Sequence, residues 1–384
     1  MNYSIQFHPV GQGLFTSGTI VSENGKKFNF VYDCGTSSSR MLLNDAISSL
    51  SFSSNIDLLA ISHFDNDHVN GLKILLNKYN VKTLLLPFLS LEERLFIAFE
   101  NKVGVSDTLM QFYLDPGNYL LDKFGGSIEN IILVPSVSNI DGDFESLGEG
   151  LDNNVFIDID ASYNKNSRVK KLNKRGRILY GNFFEFIPYN DSSVSYKSSK
   201  SFKNIIFKEK GILQNLKEKD KIQASLARIR DQYDKCFGKS PFERNVISMF
   251  LFAGPRQYNT RTFSEMGLLR KHGSSYIVWS GYKNCILYTG DGFLDTKLKL
   301  DTLVTFFGKN RISRIGCFQV MHHGASGCWH PGVAKALSPA ISVFSSNPDH
   351  KGLKHPHAEV VRDFLPYHPV QVDKENSMEV YFGM

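Results

Sequence analysis

One short segment narrows the fold of this chain more than any other: Ser62-His63-Phe64-Asp65-Asn66-Asp67-His68-Val69-Asn70-Gly71. It follows an apolar run, Asp57–Ser62, of the kind that forms a strand buried on both faces. Helical spacing over Val69–Tyr79 comes next, and then a second buried strand over Val81–Pro87. Strand, helix and strand in that order predict a layered α/β core. Between them, two imidazoles and two carboxylates fall within six residues. A tight turn aims all four at one region of space, where the carboxylates repel each other unless a cation neutralises them. A divalent metal suits the task, because imidazole nitrogen and carboxylate oxygen are both good ligands. A helix N-cap is the plainer reading, but it explains one carboxylate and neither histidine.

The rest of the chain reads as more of the same core with an obscure middle. Tyr3–Val10, Leu14–Val21 and Lys27–Tyr32 have strand character, the last pair separated by an Asn24-Gly25 turn, and Arg40–Leu50 has helical spacing. Strands recur at Val246–Phe252, Ser275–Trp279, Cys285–Tyr288, Gly316–Met321 and Ala340–Ser345. Between these halves, Leu91–Lys102 and Lys217–Cys236 suggest helices, Asn130–Val134 a strand, and the Ser- and Lys-rich stretch 190–210 a loop or a flexible insertion.

Composition excludes several classes. At 42% hydrophobic and 21% charged, a chain of 384 residues is globular and not disordered. No run reaches the roughly 18 apolar residues a membrane helix needs, so no membrane association is expected. Met1-Asn2-Tyr3-Ser4 lacks the basic and apolar regions of a signal peptide, and five scattered cysteines form no pairing pattern. Both point to a cytoplasmic protein with reduced thiols. The charge is uneven: residues 161–210 carry twelve Lys or Arg against three acids, a local +9 within a total of +6. Such a field attracts polyanions, although solvated surface lysines explain a charge run equally well.

Six further landmarks, taken with the segment at 62–71, resemble the metallo-β-lactamase superfamily, and within it the soluble hydrolase domain of the ComEC DNA-uptake proteins. His63-Phe64-Asp65-Asn66-Asp67-His68 is similar to that branch's HxDxDH motif. Val10-Gly11-Gln12-Gly13 resembles its VGQG, Asp33-Cys34-Gly35 its DxG, and Asn245-Val246-Ile247-Ser248 its NxxS. Thr289-Gly290-Asp291 resembles TGD, His322-His323-Gly324-Ala325-Ser326 its HHGS, and His355-Pro356-His357 its closing HPH. The landmarks cover 3–90 and 245–365, so the middle third inherits nothing.

The resemblance implies an α/β, four-layer αββα fold. It divides the chain into a first core half at 1–100, an insertion at 101–240 open to substrate or protein partners, and a second core half at 241–384. It implies one or two divalent ions, Zn²⁺ or Mn²⁺, with His63 and Asp65 on one, Asp67 and His68 on the other, and Asp291 bridging. His322 or His323 completes the shell of the second metal, and the sequence does not choose between them. His272 is the one histidine available as a further ligand between the first motif and Asp291. Asp67 or Asp291 is expected to orient the attacking water, with at least one of His355 and His357 binding a phosphate or protonating the leaving group. Lys170, Lys171, Lys174 and Arg175 are candidate contacts to a nucleic-acid or nucleotide substrate. The expected activity is phosphodiester hydrolysis. Hydrolysis of a small ester, thioester or lactam stays open, as does a binding module with a degenerate site.

Overall fold

The computed structural model of the chain describes residues 2–137, 154–163, 166–191, 199–214, 218–237, 248–256, 265–271, 274–350, 352 and 354–383. Strands, numbered in chain order, form two sheets. The ten-stranded sheet runs β12 (Glu265–Lys271), β13 (Ser274–Ser280), β18 (Ser377–Gly383), β1 (Asn2–Phe7), β2 (Phe15–Val21), β3 (Lys27–Cys34), β4 (Asn55–Ala60), β5 (Asn80–Pro87), β6 (Ile128–Val134), β8 (Val169–Lys171). The eight-stranded sheet runs β17 (Pro369–Val372), β16 (Ile341–Ser345), β15 (Ile315–Gln319), β14 (Cys285–Tyr288), β11 (Met249–Pro255), β10 (Phe184–Asn190), β9 (Ile178–Tyr180), β7 (Val155–Ile157).

Alternation along the strands explains the layering. Phe28, Phe30 and Tyr32 of β3 point inward with Tyr3 and Phe7 of β1, and meet Phe184, Phe186 and Tyr288 from the other sheet in one buried cluster. Tyr32 and Tyr288 stack across that interface with ring centroids 4.6 Å apart, and the Tyr32 hydroxyl donates to the Met249 carbonyl at 2.7 Å. The intervening residues of β3 to β5, such as Val31, Leu59 and Leu84, are buried on the opposite face. Helices Arg40–Ser48 and Leu72–Lys78 bury Leu43, Ile47, Leu75 and Leu76. A second cluster joins Phe252, Leu287 and Phe318 of the eight-stranded sheet to Phe306, Phe307, Val360 and Phe364 of helices Lys297–Phe307 and Ala358–Phe364. Helix, sheet, sheet and helix therefore stack as the expected mixed α/β layers.

The division of the chain differs from the expected boundaries. Residues 1–87, 127–193 and 247–384 form one unit, and 88–126 with 194–246 form another. The stretch 101–240 is thus shared between them, because its strands β6 to β10 complete both sheets. These were hard to read in the sequence since β7, β8 and β9 have three residues each. The second unit contains the helices Leu91–Glu100, Met110–Leu114, Pro116–Phe124, Lys200–Gln214 and Lys219–Phe237. Helix Lys200–Gln214 corrects the loop expected over 190–210: Phe202, Ile206 and Leu213 form a buried stripe that the lysines between them mask.

Candidate metal centre

The site forms where several chain crossings leave the sheets. Strand β4 ends at Ala60, Ser62 and His63 follow, and Asp65 becomes the N-cap of a one-turn helix, Asn66–Val69, that carries Asp67 and His68. Space for this turn exists because residue 35 is glycine. A Cβ there would lie 2.4 Å from both the Asp67 carbonyl carbon and the His68 nitrogen. The Leu14 N–H, just ahead of β2, donates to the Asp67 carbonyl at 3.2 Å and also fixes the turn.

Asp291 arrives from the end of β14 on a turn held by two buried side chains. Ser248 Oγ accepts from the Asp291 N–H at 3.1 Å. The Gln319 carboxamide oxygen accepts from the N–H groups of Thr289 and Gly290, each at 2.7 Å. Gly290 has φ +54°, and a Cβ there would meet Ser62 and Ser248 at 2.5 to 2.7 Å. His322 and His323 follow β15 with φ of +47° and +56°, a left-handed conformation that non-glycine residues adopt at a cost of roughly 1–3 kcal/mol each. Strain of that kind persists only where surrounding bonds impose it.

These stretches converge on Asp291. One carboxylate oxygen, Oδ1, lies 3.0 Å from His68 Nε2 and 3.5 Å from His323 Nε2. The other, Oδ2, lies 3.8 Å from His63 Nε2 and 3.6 Å from His322 Nε2. Asp67 Oδ2 is 3.5 Å from His323 Nε2. Asp67, His68, Asp291 and His323 offer four ligand atoms, all within 4.8 Å of one another. Both members of the 322–323 pair therefore face the centre, on opposite oxygens of Asp291. Asp65 is partly exposed at its N-cap position and is not one of the four. His272 lies outside the described residues, as do Asn245, Val246 and Ile247, so of that landmark only Ser248 is seen.

The far nitrogens of the rings decide what the near ones offer. His68 Nδ1 bonds the Asp33 carboxylate at 2.7 Å, and His323 Nδ1 bonds the Ser345 carbonyl at 2.5 Å. Both partners only accept, so Nδ1 carries the proton and Nε2 presents its lone pair inward. His63 Nδ1 is 2.8 Å from Ser62 Oγ, whose hydroxyl also reaches Asp33 at 2.6 Å. The Nε2 atoms of His63, His68 and His323 are buried and make no well-directed hydrogen bond. Buried, inward-facing lone pairs around a buried carboxylate fit a divalent cation.

Electrostatics agree. Burial alone would raise the Asp67 carboxyl, but the adjacent His323 imidazole, 3.5 Å away, and the charge of His68 hold it at about 2. Asp291, likewise opposed by burial, is held well below the usual range by His68, His322 and His323. Both are ionised at neutral pH. Burial pushes His63 down to about 4, and His322 is also lowered by burial. His68 and His323 go up despite burial, chiefly through the charge of Asp291. A metal ion would displace those protons, the usual coupling between metal binding and ligand deprotonation.

The other expected residues lie around this centre or away from it. His355 is buried, with its ring 5.7 Å from that of His322, 6.4 Å from His323 and 5.0 Å from His357. His357 Nδ1 accepts from the Ser326 N–H at 2.9 Å, and the His357 N–H donates to the Gly324 carbonyl at 3.0 Å. Lys170 and Lys171 belong to β8, three strand positions from β4, roughly 14 Å at about 4.8 Å per strand. Lys171 pairs with Asp160 at 3.2 Å, Arg175 donates to the Phe306 carbonyl at 3.0 Å, and Lys174 is exposed. Asp33, Gln319, Ser345 and Cys328 escaped the sequence reading as site residues, for only the fold brings them beside the ligands.

No protein-family model matches the chain, and no curated protein does. Among solved structures, the metallo-beta-lactamase fold protein YhfI from Bacillus subtilis is similar over 97% of this chain and 98% of that one, with 7% identity and a TM-score of 0.35. A likeness of that size bears no weight; the layers and the ligand geometry stand by themselves.

Proposed function

We propose that the chain is a metal-dependent hydrolase of the metallo-β-lactamase kind, related to the ComEC-like branch, and that it cleaves phosphodiesters in a nucleic acid or nucleotide. The observation that carries the hydrolase reading is the convergence of Asp67, His68, Asp291 and His323 on one small volume from separate stretches of chain. Asp67, His68, Asp291 and His323 would hold Zn²⁺ or Mn²⁺, which would supply Lewis acidity that lowers the pKa of a bound water toward neutrality.

The chain's own groups favour a phosphoryl substrate. Asp67 is ionised and partly exposed, placed to orient the attacking water. His355 is lowered to about 4 by burial and by the neighbouring His322, His323 and His357, so it is neutral at pH 7 and acts as a hydrogen-bond donor or acceptor rather than a cation. Because His357 Nδ1 accepts from Ser326, its Nε2 carries the proton and is a donor for a phosphate or leaving-group oxygen. Lys170 and Lys171 lie on β8, three strand positions from β4, and with Lys174 and Arg175 they would contact the phosphates of a polymeric substrate away from the scissile group.

The test is hydrolysis of plasmid, single-stranded DNA, RNA and bis-(p-nitrophenyl)phosphate with Mn²⁺ or Zn²⁺. Activity that falls at least a thousandfold in Asp67→Ala and Asp291→Ala supports the reading. Inertness of the metal-loaded wild type toward all four substrates refutes it.

A further inference from the structure

Of the four histidines facing Asp291, three rest their Nδ1 atoms on oxygen, from Ser62, Asp33 and Ser345. His322 does not: its Nδ1 lies 2.9 Å from Sγ of Cys328, a buried thiol. The backbone fixes that sulfur. The Ala325 N–H donates to the His322 carbonyl at 2.9 Å, the Cys328 N–H donates to the Ala325 carbonyl at 3.2 Å, and the side chain then returns to the His322 ring. On its other side the Cys328 carbonyl accepts from the Leu294 N–H at 2.9 Å, three residues beyond Asp291, where Leu294 and Trp329 form a bridge. One closed ring of contacts thus ties the thiol to both His322 and the loop that carries Asp291.

We propose that Cys328 is the positioning residue of His322: its sulfur accepts the Nδ1–H hydrogen bond, leaving the Nε2 lone pair aimed at the space beside Asp291 Oδ2. The proposal rests on the metal-centre reading above. A neutral imidazole has one N–H, and the partner of one nitrogen selects the tautomer. With Nδ1–H donating to sulfur, Nε2 carries the lone pair and can ligate. With the thiol donating instead, Nε2 keeps its proton and points it at the centre. Sulfur is a weaker acceptor than a carboxylate or carbonyl, so the ion held on the Oδ2 side is the one most sensitive to residue 328.

The experiment is titration of metal-free protein with Zn²⁺ against a competing chelator, and with Co²⁺ followed by its visible d–d absorption. The proteins are wild type, Cys328→Ala, Cys328→Ser, His322→Ala and the Cys328→Ala/His322→Ala double variant, with circular dichroism of each metal-free form as the folding check. Cys328→Ala is expected to weaken one ion by about 10–100-fold and alter the Co²⁺ spectrum. Cys328→Ser, whose hydroxyl accepts the same bond, recovers most of the loss. In the His322→Ala background, removing the thiol changes nothing further. Wild-type binding in Cys328→Ala, or an equal loss with and without His322, overturns the proposal. If Cys328→Ala does not fold, Cys328→Val, close in volume and without an acceptor, takes its place. A wild type that binds neither ion defeats the metal centre itself, an outcome distinct from binding that ignores residue 328.

Discussion

A carboxylate buried without solvent, on a residue with positive φ, is unfavourable twice over, yet Asp33 is both: fully buried, with φ +55°. Its return is that one side chain accepts from the Ser62 N–H at 2.7 Å, the Ser62 hydroxyl and His68 Nδ1, locking two adjacent parts of the centre. Asp33→Asn keeps the shape and removes the charge-assisted bond to His68. Metal affinity should fall about 10–100-fold with little change in fold, read by chelator competition; unchanged affinity contradicts the role. His8 makes a separate prediction away from the centre. Burial takes its imidazole from 6.5 down to about 3, while Nε2 bonds Ser17 Oγ at 2.8 Å. Between those values the unfolded chain binds a proton that the native chain refuses. The contribution is therefore complete above pH 6.5 and lost as pH falls toward 3, with a slope of up to about 1.4 kcal/mol per pH unit. Denaturation of metal-stripped protein from pH 4 to 7 should show a flatter dependence in His8→Gln than in wild type. Equal slopes would count against it.

At the scale of elements, the motifs hold one another in place. The one-turn helix bearing Asp67 and His68 lies where the chain around residue 35 has no side chain, and the Asp291 turn lies where Gly290 and Ser248 let it approach Ser62. Gly35→Ala changes no ligand but forces the Asp67–His68 backbone away. It should cost about 1–3 kcal/mol of stability and lower metal content at the same time, measured by denaturant midpoint and elemental analysis. A variant that loses stability but keeps full metal occupancy would show that the turn moves independently of its ligands. The same logic explains the helix break after residue 69. Sequence spacing suggests one helix from Val69 to Tyr79, whereas the chain makes Asn66–Val69 and Leu72–Lys78, with Gly71 packed against Cys34 where a Cβ would clash.

For the whole molecule, what the sequence disclosed and what it hid follow from contact range. Strands such as Lys27–Cys34 and Cys285–Tyr288 were legible because burial on one or both faces sets a local pattern. The candidate ligands His63, Asp67 and His68 stood out because charged and imidazole side chains beside a buried strand are costly without a purpose, and Asp291 stood out only through the resemblance of Thr289-Gly290-Asp291 to a family motif. The partners that orient them did not stand out: Gln319 and Ser345 are ordinary residues until the fold brings them to the Asp291 turn and to His323. The same holds for His322 and His323, both of which reach Asp291 because two consecutive residues adopt the left-handed conformation. The middle third was obscure because its strands are short and pair with distant ones, as β6 does with β5 and β8. The account as a whole depends on Asp291, whose two oxygens face different histidines. The most direct measurement is metal content by elemental analysis after loading with Zn²⁺ or Mn²⁺ and exhaustive dialysis, wild type against Asp291→Ala. One or two equivalents retained by the wild type and nearly none by the variant is the predicted result. A wild type without bound metal, or a variant that keeps its full complement, would contradict it.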